Sequence, residues 1–478
     1  MVKANRREEN GWIKVTISGS PYQLGFSHGS ILSKEIRQVI DTMDFTVPHN
    51  WGYSRKDLAE IINTIYKDTI ENKYPDYYRE IEGIVAGANS KGAKVTFEDI
   101  LLWNCWYSLD YISAGFKQIV KDHPELKSKY GDYYVDSVEP MLKGGRDRCS
   151  GFIAVGDWTH DGKIVCAHNT FDNFIDAQQC NIMMTVKPNK GNSFLMQTAP
   201  GQICSGTDYY VTSNGFIVTE TTIGGFNAFE VRDPVCVRIR KAVQYSKKLD
   251  DFVEILKDCN GGDYANSWLV GDVKNNHIMR IELGLRFVNV EKKKNGYFIG
   301  FNAPYDPKIR NIECSNTGMF DIRRHQGARQ VRLTQLMKEH KGKIDEKIGQ
   351  EILADHYDVY LNKVNPCSRT CCSHYELDQR EFMSQIGRPL PYQPRGAIDG
   401  IVSSSRLARK MGLCARWGSS CGTPFIVKDF AEKNIQYEEE CKYLMDRPYQ
   451  PWTVFTGRKS KGTRKNNKKS SKKQTKRR

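Results

Sequence analysis

The sequence lacks an apolar stretch near its start. Met1 to Val15 reads MVKANRREENGWIKV, polar and charged, so a secretory leader is not expected. Nowhere do about 18 apolar residues run together, which argues against a membrane-spanning helix. No Asn-x-Ser/Thr acceptor occurs, which fits a chain that never meets the glycosylation machinery. The phosphate-binding pattern Gly-x-x-x-x-Gly-Lys-Ser/Thr and the zinc-peptidase pattern His-Glu-x-x-His are missing, so these two chemistries have no support. Fourteen Cys in 478 residues are too sparse for a disulfide scaffold and read as reduced thiols. A cytoplasmic or particle-associated protein is the expectation.

Acidic residues are absent from the last stretch, Arg458 to Arg478, which holds twelve Lys and Arg. Without that stretch the chain carries 59 basic and 56 acidic residues, so most of the net +15 belongs to an appendage. Residues 457–478 are expected to be a disordered basic tail, able to contact an anionic membrane or nucleic acid. The near-neutral remainder argues against a nucleic-acid-binding fold. With 39% apolar and 11% aromatic residues the chain has ample material for a core.

Residues 21–110 show helical spacing, with Leu24, Ile31, Ile36, then Ile61, Ile62, Ile65, then Ile81 and Ile84. Thr96 ahead of Glu98 and Asp99 reads as a helix cap. Residues 117–143 read as polar loop. From Cys149 the period changes to strands, at 150–155, 163–168, 181–186, 193–198, 210–212, 215–222, 267–272, 278–283 and 297–301. Helices are expected at 234–249, 249–258, 328–340 and 344–355, and short strands at 403–406 and 417–427. The pattern predicts an α+β layered domain behind a helical segment.

The period changes at Arg148-Cys149-Ser150-Gly151. If the bond between Arg148 and Cys149 were cut, Cys149 would hold both a thiol and a free α-amine. That amine titrates near neutrality and can act as the thiol's own base. A buried core cysteine is the plain alternative.

Further segments come in order: Ala167-His168-Asn169-Thr170, Thr219-Glu220-Thr221-Thr222-Ile223-Gly224, Gly262-Asp263-Tyr264-Ala265-Asn266-Ser267-Trp268, Phe301-Asn302-Ala303-Pro304, Gly327-Ala328-Arg329 and Arg395-Gly396-Ala397-Ile398-Asp399-Gly400. With Cys149-Ser150-Gly151, this series resembles the phospholipase B-like proteins and their relatives among acyl-CoA:penicillin acyltransferase-type cysteine peptidases. Upstream, residues 21–29 and 83–88 are similar to the helical pro-segment of the acyltransferase relatives.

The resemblance implies an N-terminal-nucleophile (Ntn) hydrolase, an αββα four-layer sandwich. Residues 1–148 would be the mainly helical pro-segment or light chain, and residues 149–456 the catalytic domain. The precursor would cut itself between Arg148 and Cys149. Cys149 would then attack the acyl carbonyl, Asn302 and Thr222 would donate to the oxyanion, and His168 and Arg329 would orient the amine and thiol. Phe171 stands at a pocket position, with Asn169, Asn266 and Trp268 supporting. His28 is expected to pack rather than catalyse. No cofactor is implied, and the substrate would be a lipid or an acyl amide. Amide hydrolysis or acyl transfer, and a catalytically silent lipid- or partner-binding homologue, are the alternatives.

Cys367, Cys371, Cys372 and His374 offer the ligand types of a zinc set. Their spacing is poor for tetrahedral closure, because the adjacent side chains of Cys371 and Cys372 diverge, so no metal site is expected. A disulfide in this region is the alternative that the resemblance suggests.

Overall fold

The computed structural model describes residues 5–130, 149–315, 317–379 and 391–458. Two strands open the chain, β1 (Asn5–Glu9) and β2 (Trp12–Gly19), with Trp12, Val15 and Ile17 of β2 fully buried. Ser20 and Gln23 then form a reciprocal cap, and Pro21 begins helix α1 (Pro21–Ile31) where its missing N–H costs nothing. Helices α2 (Ser33–Trp51), α3 (Arg55–Lys73), α4 (Pro75–Asn89) and α5 (Phe97–Asn104) come next. Thr96 and Asp99 cap α5 reciprocally, through bonds of 3.1 and 3.0 Å.

Glycines set the approach of α1 and α4. Gly25 and Gly29 face Gly83 and Gly87 so closely that backbone meets backbone. A Cβ at Gly25 would lie 1.8 Å from the Glu80 carbonyl oxygen, and one at Gly29 2.0 Å from that of Ile84.

The stretch expected to be loop is partly helical. After α6 (Leu109–Ala114) come α7 (Phe116–Asp122) and α8 (Pro124–Tyr130). Phe116, Ile119, Leu126 and Tyr130 are buried, so tertiary packing outweighs the polar composition. The rest of that stretch, the cut site at Arg148 and the tail beyond 458 lie outside the described residues.

The strands form two large sheets. In the first, nine strands run in the order β1, β2, β5 (Ile182–Pro188), β6 (Phe194–Thr198), β7 (Tyr210–Thr212), β8 (Phe216–Thr222), β9 (Asn266–Asp272), β10 (His277–Leu283), β11 (Val288–Lys293). All neighbours are antiparallel except β2 and β5, paired parallel from Ile13–Ile182 to Gly19–Pro188. The segment before Cys149 thus supplies two strands to a sheet whose other seven come after it.

The second sheet runs β12 (Gly296–Gly300), β3 (Cys149–Val155), β4 (Val165–Asn173), β16 (Asp399–Ser404), β17 (Gly412–Trp417), β18 (Thr453–Thr456), with β15 (Arg395–Ala397) on the end of β4. A separate hairpin joins β13 (Tyr357–Asp358) and β14 (Lys363–Val364). After β4 comes one short turn, α9 (Phe174–Ala177). The faces of the two sheets meet where β3 packs on β8, β9 and β10. Helices α10 (Val235–Tyr245) and α11 (Leu249–Lys257) lie against the first sheet, and α12 (His325–Glu339) and α13 (Glu346–Leu353) against the second. The architecture is α+β with large sheets and many helices.

Two expectations near strands differ from the structure, and two strands were not expected. Ser405–Ala408 is a short helix, α14, capped by Ser404, rather than strand. β17 ends at Trp417, so residues 418–426 are mostly loop. β1 and β11 carry NRREE and VNVEKK, charges that masked them as strands.

Buried polar bonds tie the first helices to the later part of the chain. Arg240 of α10 holds Glu80 of α4 through two bonds of 3.1 and 2.9 Å, both side chains almost fully buried. Tyr74 donates to Asp233, and Ser108 to Asp263, which also pairs with Arg238 at 2.7 Å.

Candidate active site

Cys149 is the first residue of β3, 2% exposed, opposite Thr170 of β4. Its backbone N–H donates to Asn302 Oδ1 at 3.2 Å. Asn302 reaches this point from the end of β12 with a left-handed φ of 67°, a conformation Asn tolerates better than most residues. Gly300 makes the approach possible, since a Cβ there would lie 2.4 Å from Thr221 Cγ2 of β8. Asn302 Nδ2 donates to the Thr222 carbonyl at 2.7 Å.

Arg329, in the second turn of α12, is 1% exposed. It donates to the Cys149 carbonyl, to Ser150 Oγ at 3.0 Å and to Asn302 Oδ1 at 2.8 Å. The Phe171 ring sits 5.1 Å from its guanidinium carbon, so the charge rests on an aromatic face. One fixed cation thus grips both the strand end that carries the thiol and the amide that holds its backbone nitrogen.

A buried acidic cluster faces the sulfur. Cys149 Sγ lies 3.9 Å from Glu220 Oε1. The Tyr264 hydroxyl is 3.1 Å from that oxygen and 2.9 Å from Asp208 Oδ2, and accepts from Thr222 Oγ1 at 3.2 Å. With its amide oriented to suit its neighbours, Asn266 donates to Glu220 Oε2 at 3.1 Å. Glu220, Asp208 and Tyr264 had no assigned role in the sequence. Their signal was there: an acid between threonines of an apolar strand needs a buried partner.

The structure brings Cys149, Asn302, Thr222, Arg329, Phe171 and Asn266 together through these contacts. His168 lies diagonally from Cys149, opposite Gly151, on the same face. Burial pushes it down to about 3, so its ring is neutral at pH 7. Neither ring nitrogen has a hydrogen-bond partner among the described residues, so no bond ties it to the thiol. Asn169 is on the opposite face, where it donates to the carbonyls of Leu353 and Cys371 at 2.8 and 2.9 Å. Trp268 is buried, with its ring 6.2 Å from Phe252 of α11, a packing role. His28 accepts from the Gly201 N–H at 2.8 Å, well inside the packed helices. Burial pushes Asp399 up to about 7, against the opposing bond from the Thr170 N–H at 2.8 Å.

The four-residue zinc set considered from the sequence is not gathered. Cys371 joins the core beneath α12 and α13, Cys367 lies 3.6 Å from Asp358, and only Cys372 and His374 meet.

Comparison with known proteins gives one family. The family model described as Phospholipase B matches residues 33–442. An uncharacterized protein of Archaeoglobus fulgidus is 26% identical over 274 residues, 55% of this chain and 42% of that protein. Putative phospholipase B-like 2 of Rattus norvegicus is 23% identical over 334 residues, 59% of this chain and 56% of that one. Phospholipase B-like protein B of Dictyostelium discoideum is 22% identical over 405 residues, 78% and 68% of the two chains. The chain spans about half the length of the first two of these relatives. The match over most of its length shows that this chain belongs to the phospholipase B family.

Proposed function

We propose that the protein is an acyl hydrolase of the Ntn type, with the αββα arrangement of that class, acting on fatty acyl groups of lipids. The observation that carries this reading is the geometry at Cys149. A thiol at the first position of a strand has its own backbone nitrogen held by Asn302, its carbonyl held by Arg329 and its sulfur beside Glu220. Family membership and the names of the relatives support lipid as the substrate class.

The proposed chemistry has two stages. In maturation, the Cys149 sulfur attacks the carbonyl carbon of residue 148. The peptide bond becomes a thioester, which water hydrolyses to a carboxylate at 148 and a free amine at 149. In turnover, that amine takes the thiol proton and the thiolate attacks the lipid's acyl carbonyl. The tetrahedral adduct expels the alcohol, which takes the proton back from the ammonium. Water then releases the fatty acid from the thioester by the same base.

Asn302 Oδ1 would hold the amine, a role supported by the bond it accepts from the Cys149 N–H and by the bond from Arg329 that orients it. To donate to the oxyanion, Asn302 Nδ2 must leave the Thr222 carbonyl, and the Thr222 hydroxyl must leave Tyr264. That exchange would make both bonds available only once charge develops on the substrate, where they lower the barrier most.

The test is intact mass and N-terminal sequencing of purified protein, with fatty acid release from phospholipid vesicles. A fragment starting Cys149-Ser150 and activity lost in Cys149→Ala are expected. Asn302→Ala should lower kcat by about 10²–10³ if it is an oxyanion donor. Full hydrolysis by Cys149→Ala would end the proposal.

A further inference from the structure

The irregular segment after α13 and the loop after β17 bring two histidines and two cysteines to one point. His356, Cys372, His374 and Cys421 each offer a donor atom, and the four atoms lie within 4.8 Å of one another. Cys372 and His374 are buried, and His356 and Cys421 half-buried. We propose that these four side chains form a closed tetrahedral zinc site that clips the 356–374 segment to the loop at 421.

The distances fit. His374 Nε2 is 3.4 Å from Cys372 Sγ and 3.4 Å from Cys421 Sγ. Zinc at about 2.3 Å from sulfur and about 2.0 Å from nitrogen leaves those atoms about 3.5 Å apart. Closing the wider pairs takes side-chain movements of about 1 Å. The donor set, two sulfurs and two imidazoles, selects zinc over the oxygen-seeking cations.

The outer contacts fit as well. His374 Nδ1 is 2.7 Å from Glu376 Oε1, which fixes the tautomer and leaves Nε2 for the metal, as in a carboxylate–histidine–zinc triad. The Thr423 N–H donates to Cys421 Sγ at 3.4 Å, and the hydroxyls of Ser419 and Thr423 stand 3.2 and 3.1 Å away. Such donors stabilise a thiolate. His356 Nε2 is enclosed and has no hydrogen-bond partner among the described residues. Glu376 and Thr423, the neighbours of His374 and Cys421, also line a cavity of about 520 Å³.

Four protein ligands leave no open position, so the ion is structural and takes no part in hydrolysis. Cys372 packs in one small cluster with Phe171 and Ala397, so the site would steady the ring on which Arg329 rests. Binding replaces the thiol protons, which pass to solvent. Only half of this set is visible in the sequence, because His356 and Cys421 lie far from the Cys372–His374 pair in the chain.

The test is metal content of the full-length chain by elemental mass spectrometry after dialysis, followed by cobalt(II) replacement. The expected result is about one zinc per chain and a cobalt spectrum with tetrahedral bands and thiolate charge transfer. Cys421→Ser and His374→Asn should lose most of the metal, and Cys259→Ser should keep it. The wild-type cobalt spectrum stands even if a ligand variant fails to fold. A wild-type chain that binds neither ion, or a Cys372–Cys421 disulfide found by mapping under non-reducing conditions, overturns the proposal. None of these readouts depends on hydrolase activity.

Discussion

Gly25→Ala separates packing from helix propensity, because the two predict opposite signs. Taken alone, α1 should gain about 1 kcal/mol from the change, since Gly is a poor helix former. The contact with α4 reverses this. The new Cβ would lie 1.8 Å from the Glu80 carbonyl oxygen and 2.8 Å from Ile84 N, both rigid backbone. An ordinary contact needs about 3.4 Å, so the helices must part by about 1.5 Å along that line, and neighbouring contacts open as well. Overpacking of this kind costs about 1–3 kcal/mol, and a collision with backbone belongs at the upper end. The strain also falls on Glu80, whose carboxylate holds the buried Arg240 guanidinium. The net expectation is a loss of about 1–2 kcal/mol, read as a lower midpoint in urea unfolding of the full chain. Gly29→Ala, 2.0 Å from the Ile84 carbonyl, should behave alike. A midpoint that stays put or rises for both would refute the close-approach argument.

Two further outcomes can be measured in the same way. Burial, with a contribution from Arg240, pushes His28 down to about 3. Its folded pKa lies below the unfolded value, so its contribution is complete above about 6.5 and is lost as pH falls towards 3. From pH 7 to pH 5 that loss is about 2 kcal/mol, and it should disappear from the pH profile of His28→Asn. Arg240→Met alone should cost about 3–5 kcal/mol by stranding Glu80, whereas Arg240→Met with Glu80→Leu should recover most of it. Equal losses in the single and double variants would show that the pair itself, rather than the stranded charge, supplies the stability.

Strong local patterns were legible in the sequence. The switch at Cys149 is the start of β3, and Thr96 caps α5 as expected. Asn302, Thr222 and Arg329 come from three separate segments, and only the family resemblance put them in one expected site; no local pattern did. What was not legible depended on distance along the chain. Glu220, Tyr264 and Asp208 form a cluster only when β8 and β9 pair and the loop before β7 folds back on them. Asn169 and His168 are adjacent in sequence, but strand alternation sends them to opposite faces, and only the pairing with β3 shows which faces the thiol. Helices α7 and α8 were hidden by lysines on their outer sides.

Among the described residues the first sheet has two open margins. β1 and β11 leave one side of their backbone without a strand partner there, while the strands between them are mostly buried. Two arginines and two glutamates occupy one margin, and a glutamate and two lysines the other. A second molecule that tried to extend the sheet by adding a strand would have to strip water from those charges. They therefore act as gatekeepers against self-association. Loss of β1 would move the margin to β2, whose Trp12, Val15 and Ile17 offer no such resistance, and the sheet would become a template for aggregation.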